Sequence, residues 1–65
     1  MSKEMEFFIY LLEYYAEYSN TTANLVLQKW NEKGIAQAIY DNYWLYHTES
    51  IQNALEDIDS LLASS

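Results

Sequence analysis

Residues 43–48, Tyr-Trp-Leu-Tyr-His-Thr, are the densest aromatic run of the 65-residue chain and include its only histidine. The run supplies large apolar side chains that can anchor a core. On both sides of it, apolar residues recur at intervals of three and four, whereas strand-like alternation never persists. These features predict an all-α fold in which the earlier helices pack onto this run and one later helix closes the core.

The apolar spacing predicts a small bundle of four short helices in a single domain, residues 1–65. The expected helices cover about residues 3–19, 23–33, 35–47 and 49–62. The chain has no proline and only one glycine, so helix-breaking residues are scarce. A continuous helix through His47 and Thr48 is the alternative at the last boundary.

Polar residues mark the expected helix ends. Ser2, Thr22 and Thr48 are the predicted N-caps, because their hydroxyl groups can accept a hydrogen bond from a free amide of the first turn. Gly34 follows Lys33 and is the predicted end of the second helix, since glycine adopts the left-handed conformation at no steric cost.

Residues on the inner faces of the helices should share one core. At its centre, adjacent helices are expected to bring together Ile39, Tyr43, Leu55 and Ile58. The other inner positions are Met5, Phe8, Ile9, Leu12, Tyr15, Ala16, Ala23, Val26, Leu27, Trp30, Ile35, Tyr46, Ile51, Ala54, Leu61 and Leu62.

The first helix carries a second apolar stripe beside its inner face, made of Phe7, Leu11, Tyr14 and Tyr18. At about 100° per residue, the two stripes cover more than half of the helix surface. Only a narrow edge of three glutamates, with Tyr10 among them, is polar. Such a helix is covered either by the other helices or by a second chain, and the sequence leaves both possibilities open.

Seven tyrosines, two tryptophans and two phenylalanines make the chain rich in aromatic side chains. Each ring can bury roughly 150–250 Å², and a domain of this size encloses only about 60% of its unfolded surface. Some rings must therefore lie at the surface, where tyrosine and tryptophan are common anchors of interfaces. Core packing is the alternative for each of them. The candidate partner-binding residues are Phe7, Leu11, Tyr14, Tyr18, Tyr40, Trp44 and His47.

The formal net charge is −7, and its distribution along the chain is uneven. Residues 1–33 carry five acids and all three lysines, whereas residues 34–65 carry five acids and no cation. Nucleic acid is bound through many lysines and arginines, so we expect no nucleic-acid partner. The residues after Gly34 also lack the basic side chains of a helix-turn-helix recognition helix. A basic protein surface that meets the acidic C-terminal half is the expected counterpart.

No combination of residues indicates catalysis or metal binding. The chain has no cysteine, and a lone histidine such as His47 near a helix end more often bonds the final carbonyl groups. Glu56, Asp57 and Asp59 lack the spacing and the glycine of a calcium loop. We therefore expect a protein without enzymatic activity, metal or cofactor.

The hydrophobic segments are too short for a membrane protein. No stretch approaches the roughly 18 apolar residues of a membrane-spanning helix. Ser2-Lys3-Glu4 leads into a run already interrupted by Glu6 and Glu13, which is unlike a signal peptide. The expected location is the cytoplasm.

Several short phrases resemble a family of small bacterial domains of unknown function. They are Glu13-Tyr14-Tyr15-Ala16, Thr22-Ala23, Gly34-Ile35, Tyr43 followed by Tyr46-His47-Thr48, and Asp57-Ile58-Asp59. Members of that family are often encoded beside, or fused to, a domain similar to ADP-ribosyltransferases, in an arrangement like a toxin and its antitoxin. The resemblance implies that this chain is the non-enzymatic, partner-binding half, and it transfers no catalytic residue.

The combined prediction is an antitoxin-like module that binds an ADP-ribosyltransferase-like protein through an aromatic and acidic surface. Two alternatives stay open. One is a homodimer whose seam is the second stripe of the first helix. The other is an acidic mimic of nucleic acid that blocks a nucleic-acid-binding protein.

Overall fold

The computed structural model describes residues 2–64, which contain five α-helices and no strand. The all-α prediction is confirmed. Helix α1 spans Lys3–Tyr18, α2 spans Ala23–Glu32, α3 spans Ile35–Asp41, α4 spans Tyr43–Thr48 and α5 spans Ile51–Ser64. Helix α1 packs against α2, α3 and α4, and α4 packs against α5. None of these helices is long and apolar enough to cross a membrane.

Two of the predicted N-caps are confirmed. The Ser2 hydroxyl accepts a hydrogen bond from the Met5 amide at 3.1 Å, and the Thr22 hydroxyl accepts one from the Leu25 amide at 3.4 Å. Gly34 has a φ of 72°, the left-handed conformation that ends α2 and precedes α3. The short polar segments thus define the first half of the fold through local hydrogen bonds.

The predicted helix over residues 35–47 is wrong in its continuity, because it divides at Asn42. The Asn42 amide bonds the carbonyl groups of Ala38 and Ile39, and its side chain donates to the Ala38 oxygen at 2.7 Å. Asparagine side chains compete in this way with the regular helix pattern. The chain ends α3 there and starts the short helix α4 at the next residue.

The predicted cap at Thr48 is also wrong. Its hydroxyl donates backwards to the carbonyl oxygens of Trp44 and Leu45, both at 2.9 Å, and so bonds the end of α4. Ser50 takes the capping role, since its hydroxyl accepts from the Asn53 amide at 3.2 Å. Helix α5 accordingly begins at Ile51, two residues later than expected.

One apolar cluster lies between the helices, with Trp30 of α2 fully buried in it. The Trp30 ring lies 5.6 Å from that of Tyr15 and 5.9 Å from that of Phe8. The predicted central residues Ile39, Leu55 and Ile58 are confirmed as core. The other buried members are Leu11, Leu12, Tyr15, Ala16, Val26, Ile35, Tyr46 and Ala54.

Several residues predicted to face inward lie elsewhere. Tyr43 is only half-buried, and its ring packs on Phe7 and His47 outside the buried cluster. Met5 and Leu61, at the outer ends of α1 and α5, are exposed. Helix ends have fewer neighbours to cover them, and this accounts for the exposure of Met5 and Leu61.

Candidate protein-binding surface

A continuous row of rings crosses from α1 to α4 on the outside of the molecule. It starts at Tyr14, whose ring centre lies 5.7 Å from that of Tyr10, and continues to Phe7 at 6.3 Å. Phe7 meets Tyr43 edge-on at 5.6 Å, and the row ends at Trp44, 6.0 Å from Tyr43. We call these five residues, together with His47, the aromatic surface.

Helical spacing explains both halves of the aromatic surface. On α1, intervals of three and four residues place Phe7, Tyr10 and Tyr14 on one side. On α4, Tyr43 and His47 are four residues apart, and their rings stack in parallel with centres 4.2 Å apart. Trp44 closes the group edge-on against His47 at 5.0 Å.

His47 is held in place by the backbone as well as by its ring neighbours. Its Nδ1 lies 2.9 Å from the Tyr43 carbonyl oxygen. A carbonyl oxygen can only accept, so Nδ1 carries the hydrogen. His47 therefore bonds the backbone of its own helix, but the acceptor is the carbonyl group of the first residue of α4 and not one of the final carbonyl groups that the sequence predicts.

Two members of the aromatic surface are more than half exposed. Trp44 is 76% exposed and Tyr10 is 51% exposed. Leu45, the neighbour of Trp44 on α4, is also exposed. Trp44 thus lies on an exposed face at this end of the molecule, next to the half-buried ring of His47.

Three of the predicted partner-binding residues lie apart from the aromatic surface. Leu11 is 0% exposed and belongs to the core, so the expectation that the whole second stripe of α1 is available to a partner is wrong there. The other helices cover α1 on that side. Tyr40 is half-buried and contacts Phe8 at 6.3 Å instead of joining Trp44. Tyr18 is exposed but is bound to α5 through its hydroxyl.

Tyr10 and Tyr43 belong to the aromatic surface but are not among the partner-binding residues that the sequence predicts. Tyr10 has glutamates around it in the sequence, which favours a place on the polar edge of α1. Its spacing was nevertheless informative, since it lies three residues after Phe7 and four before Tyr14. A stripe that combines rings and carboxylates is therefore a better description of this face than a purely polar edge.

The glutamates beside these rings have no side-chain partner in the part of the chain that the structure describes. Glu6, Glu13 and Glu17 are exposed on α1, and no side chain within residues 2–64 donates a hydrogen bond to them or pairs with them. Their carboxylates therefore face solvent next to the tyrosine rings.

A carboxylate of α5 ties that helix to the end of α1. Asp59 accepts hydrogen bonds from the hydroxyl groups of Tyr15 at 2.5 Å and Tyr18 at 2.8 Å. Burial, followed by the bond to Asp59, raises the pKa of Tyr15 to about 12. The bond to Asp59 also raises the pKa of Tyr18. At neutral pH both phenols are protonated donors, so this contact is a structural clasp.

A second acidic contact lies between α4 and α5. Loss of solvation, and then the nearby charge of Asp57, raise the pKa of Glu49. Its Oε1 is buried and has no hydrogen-bond partner among the described residues. Burial, followed by the charges of Asp57 and Glu49, raises the pKa of Tyr46 as well. The carboxylates of Glu49 and Asp57 thus lie close enough to affect each other's charge. Within residues 2–64, no group of three side chains is placed to hold a metal ion.

A cleft lies elsewhere, between the end of α1, α2 and α5. It has a volume of about 500 Å³ and is lined by Leu25, Lys29, Trp30 and Leu62, among others. The buried indole Nε1 of Trp30 donates to none of the described residues.

Comparison with known protein families places the chain in a family without a known role. Residues 6–64 match the model described as "Protein of unknown function (DUF3791)", and the chain belongs to that family. Comparisons with curated proteins and with solved structures gave no match.

Proposed function

We propose that this chain is a non-enzymatic module that binds another protein through the aromatic surface. The observation that carries the proposal is the exposure of Trp44, 76%, at the end of a continuous row of rings. A large apolar side chain left in water gains nothing for the fold, and buried tryptophan and tyrosine anchors dominate many interfaces.

The geometry of the rings also favours tight docking. Trp44 is held by edge contacts with Tyr43 and His47, and Tyr43 is held by Phe7 of another helix. Side chains that are already fixed lose little conformational freedom when a partner covers them. When a partner covers these rings, the burial of apolar surface favours binding, and little conformational entropy is lost.

The proposed partner is an ADP-ribosyltransferase-like protein, and the proposed action is antitoxin-like occlusion of a basic groove in the cytoplasm. Support comes from the resemblance of several phrases to domains paired with such transferases and from the net charge of −7. Pairing of this chain with a second copy of itself, or mimicry of nucleic acid, are the competing functions.

A photo-crosslinking experiment can identify the partner without assuming its nature. The photoreactive residue p-benzoylphenylalanine is placed at position 44 in one variant and at position 25 in a control. Leu25 is a matched control because it is also apolar and exposed, at 58%, but lies on α2 outside the aromatic surface. The proposal expects one protein to be trapped at position 44 in cells and not at position 25.

The mass of the trapped product separates the candidate functions. A product twice the mass of the chain indicates a homodimer, and a transferase-like protein supports the antitoxin-like role. For the trapped partner, Trp44→Ala should weaken binding by about 2 kcal/mol or more, roughly thirtyfold. Equal trapping at both positions, or unchanged affinity of Trp44→Ala, would contradict the proposal.

A further inference from the structure

We infer that the partner presents arginine side chains to the exposed face of α1, and this inference rests on the proposed function. The face consists of Glu6, Tyr10, Glu13, Tyr14 and Glu17, all of them exposed, and we call it the Glu-Tyr face. It continues directly from the aromatic surface, because Tyr10 and Tyr14 belong to both.

The spacing of the Glu-Tyr face brings carboxylates and rings together along one side of the helix. Glu6 precedes Tyr10 by four residues, and Glu13 precedes Glu17 by the same interval. Residues four apart are neighbours on a helix surface. With a rise of about 1.5 Å per residue, the face extends for about 16 Å, which is long enough for more than one cation.

Among the described residues, no cation forms an ion pair with the carboxylates of the Glu-Tyr face. Lys3 is the only cation of α1, and no ion pair with Glu6, Glu13 or Glu17 occurs within residues 2–64. The tyrosine rings between these carboxylates are half-exposed. A purely apolar partner would have to strip water from three carboxylates without replacing their hydrogen bonds, which is costly.

Arginine meets both requirements of this face with one side chain. Its planar guanidinium stacks on aromatic rings and also forms paired hydrogen bonds with a carboxylate. Lysine offers a more strongly hydrated point charge and no planar group to stack. A face that alternates carboxylates with rings therefore favours arginine over lysine.

The acids of the C-terminal half differ because each contacts a side chain of the chain itself. Asp41 accepts from Gln37, Glu56 accepts from Gln52, and Asp59 accepts from two tyrosines. Glu49 faces Asp57. The expectation that the acidic C-terminal half supplies the main contact for a basic partner is therefore revised in favour of α1.

The test uses the whole 65-residue chain and two synthetic peptides of equal length and charge. One peptide alternates arginine with glycine, and the other alternates lysine with glycine. Titrations followed by amide chemical shifts should show the arginine peptide binding several-fold more tightly, with the largest shifts on the Glu-Tyr face. Equal binding of both peptides, or no binding of either, would overturn the inference.

Variants separate the contribution of the rings from that of charge. Changing Tyr10→Leu and Tyr14→Leu together keeps apolar bulk but removes the aromatic faces, and should weaken arginine-peptide binding at least about fivefold. Glu13→Gln should weaken it more than Glu32→Gln, a control with the same change of charge on α2 whose carboxylate already bonds Gln28. Unchanged binding in the double variant would contradict the inference.

The peptide titrations and the photo-crosslinking experiment can fail separately. If a partner is trapped at position 44 but the peptides show no preference for arginine, the proposed function stands and the inference about arginine fails. If the arginine peptide is preferred but no protein is trapped at position 44, the proposed function fails instead.

Discussion

The two tryptophans of this chain occupy opposite environments. Trp30 of α2 is 0% exposed and lies between the rings of Tyr15 and Phe8, whereas Trp44 of α4 is 76% exposed. Both occur in helices, and both have aromatic neighbours. The difference lies in what covers them: the side of α2 that carries Trp30 packs into the core, whereas the side of α4 that carries Trp44 is left exposed.

This contrast indicates two separate uses for aromatic residues in one small domain. The rings around Trp30 hold the fold together through burial. The rings around Trp44 are fixed by their neighbours and are left accessible to a partner. Substitutions in the two regions should therefore affect different measurements, and the following predictions are ordered by the size of the expected effect.

The largest effect is expected at Trp30. Trp30→Ala should reduce the free energy of unfolding by about 3–5 kcal/mol, which is most of the stability of a domain of this size. Trp44→Ala should cost less than about 1 kcal/mol, because little area is lost from the interior. Urea denaturation followed by circular dichroism measures both. Comparable losses in the two variants would remove the distinction between the regions.

Two leucines extend the same comparison with a smaller change of volume. Leu11→Ala should cost about 2–5 kcal/mol because it leaves a cavity in the core. Leu25→Ala, at an exposed position, should change the free energy of unfolding by about 0.5 kcal/mol or less. A Leu11→Ala variant as stable as Leu25→Ala would mean that α1 is covered on a different side.

The region around Trp30 should also respond to alkaline pH. The pKa of Tyr15, about 12, lies above its ordinary value of 10.0, so the folded state holds the proton more tightly than the unfolded state. The resulting stability, up to about 2.7 kcal/mol at roughly 1.36 kcal/mol per pKa unit, is complete below pH 10 and is lost as the pH rises through the folded-state value. The free energy of unfolding, measured between about pH 10 and pH 12, should fall less steeply with pH in Tyr15→Phe than in the parent chain.

The control for this pH effect is Tyr10→Phe. It removes a hydroxyl group that bonds no side chain within residues 2–64, and it lies on the aromatic surface. Its stability should follow the same pH dependence as that of the parent chain. If the free energy of unfolding falls equally steeply with pH in Tyr15→Phe and in the parent chain, the hydrogen bond to Asp59 does not contribute to the pH dependence of stability.

The smallest effect is expected at Glu49, next to α4. The pKa of Glu49 is raised, so the folded state favours the neutral carboxyl group. As the pH rises above the ordinary pKa of a glutamate, the charged carboxylate therefore lowers the stability of the fold. Glu49→Gln should therefore raise the urea midpoint at neutral pH, and the gain should shrink in acid. Glu56→Gln makes the same change of charge on α5 without this contact. An equal gain in both variants would indicate a general effect of net charge.

The sequence was sufficient for features that depend on local patterns. Helical spacing predicted the class and most of the core, and hydroxyl and glycine positions located both ends of α2. The number of aromatic side chains predicted that some rings lie at the surface, and Trp44 is one of them. None of these inferences needs the positions of the neighbouring helices.

Features that depend on how the helices pack against one another could not be predicted from helical spacing. Leu11 lies beside the inner stripe of α1, and only the positions of the neighbouring helices decide that it is buried. The division at Asn42 results from a side-chain hydrogen bond that competes with the helix, and helical spacing does not reveal it. Tyr43 was placed in the core because the α3 spacing was continued through this break.

The brevity of α4 has a consequence for its dynamics. Six residues are far fewer than an isolated helix needs to persist in water, and Asn42 provides no side-chain cap at its start. The helix is held by Tyr46 in the core and by ring contacts with Phe7. Its amides should therefore exchange with deuterium through local opening, faster than those around Leu11. A protein that covers Trp44 would slow this exchange, so protection in α4 would report occupancy of the surface.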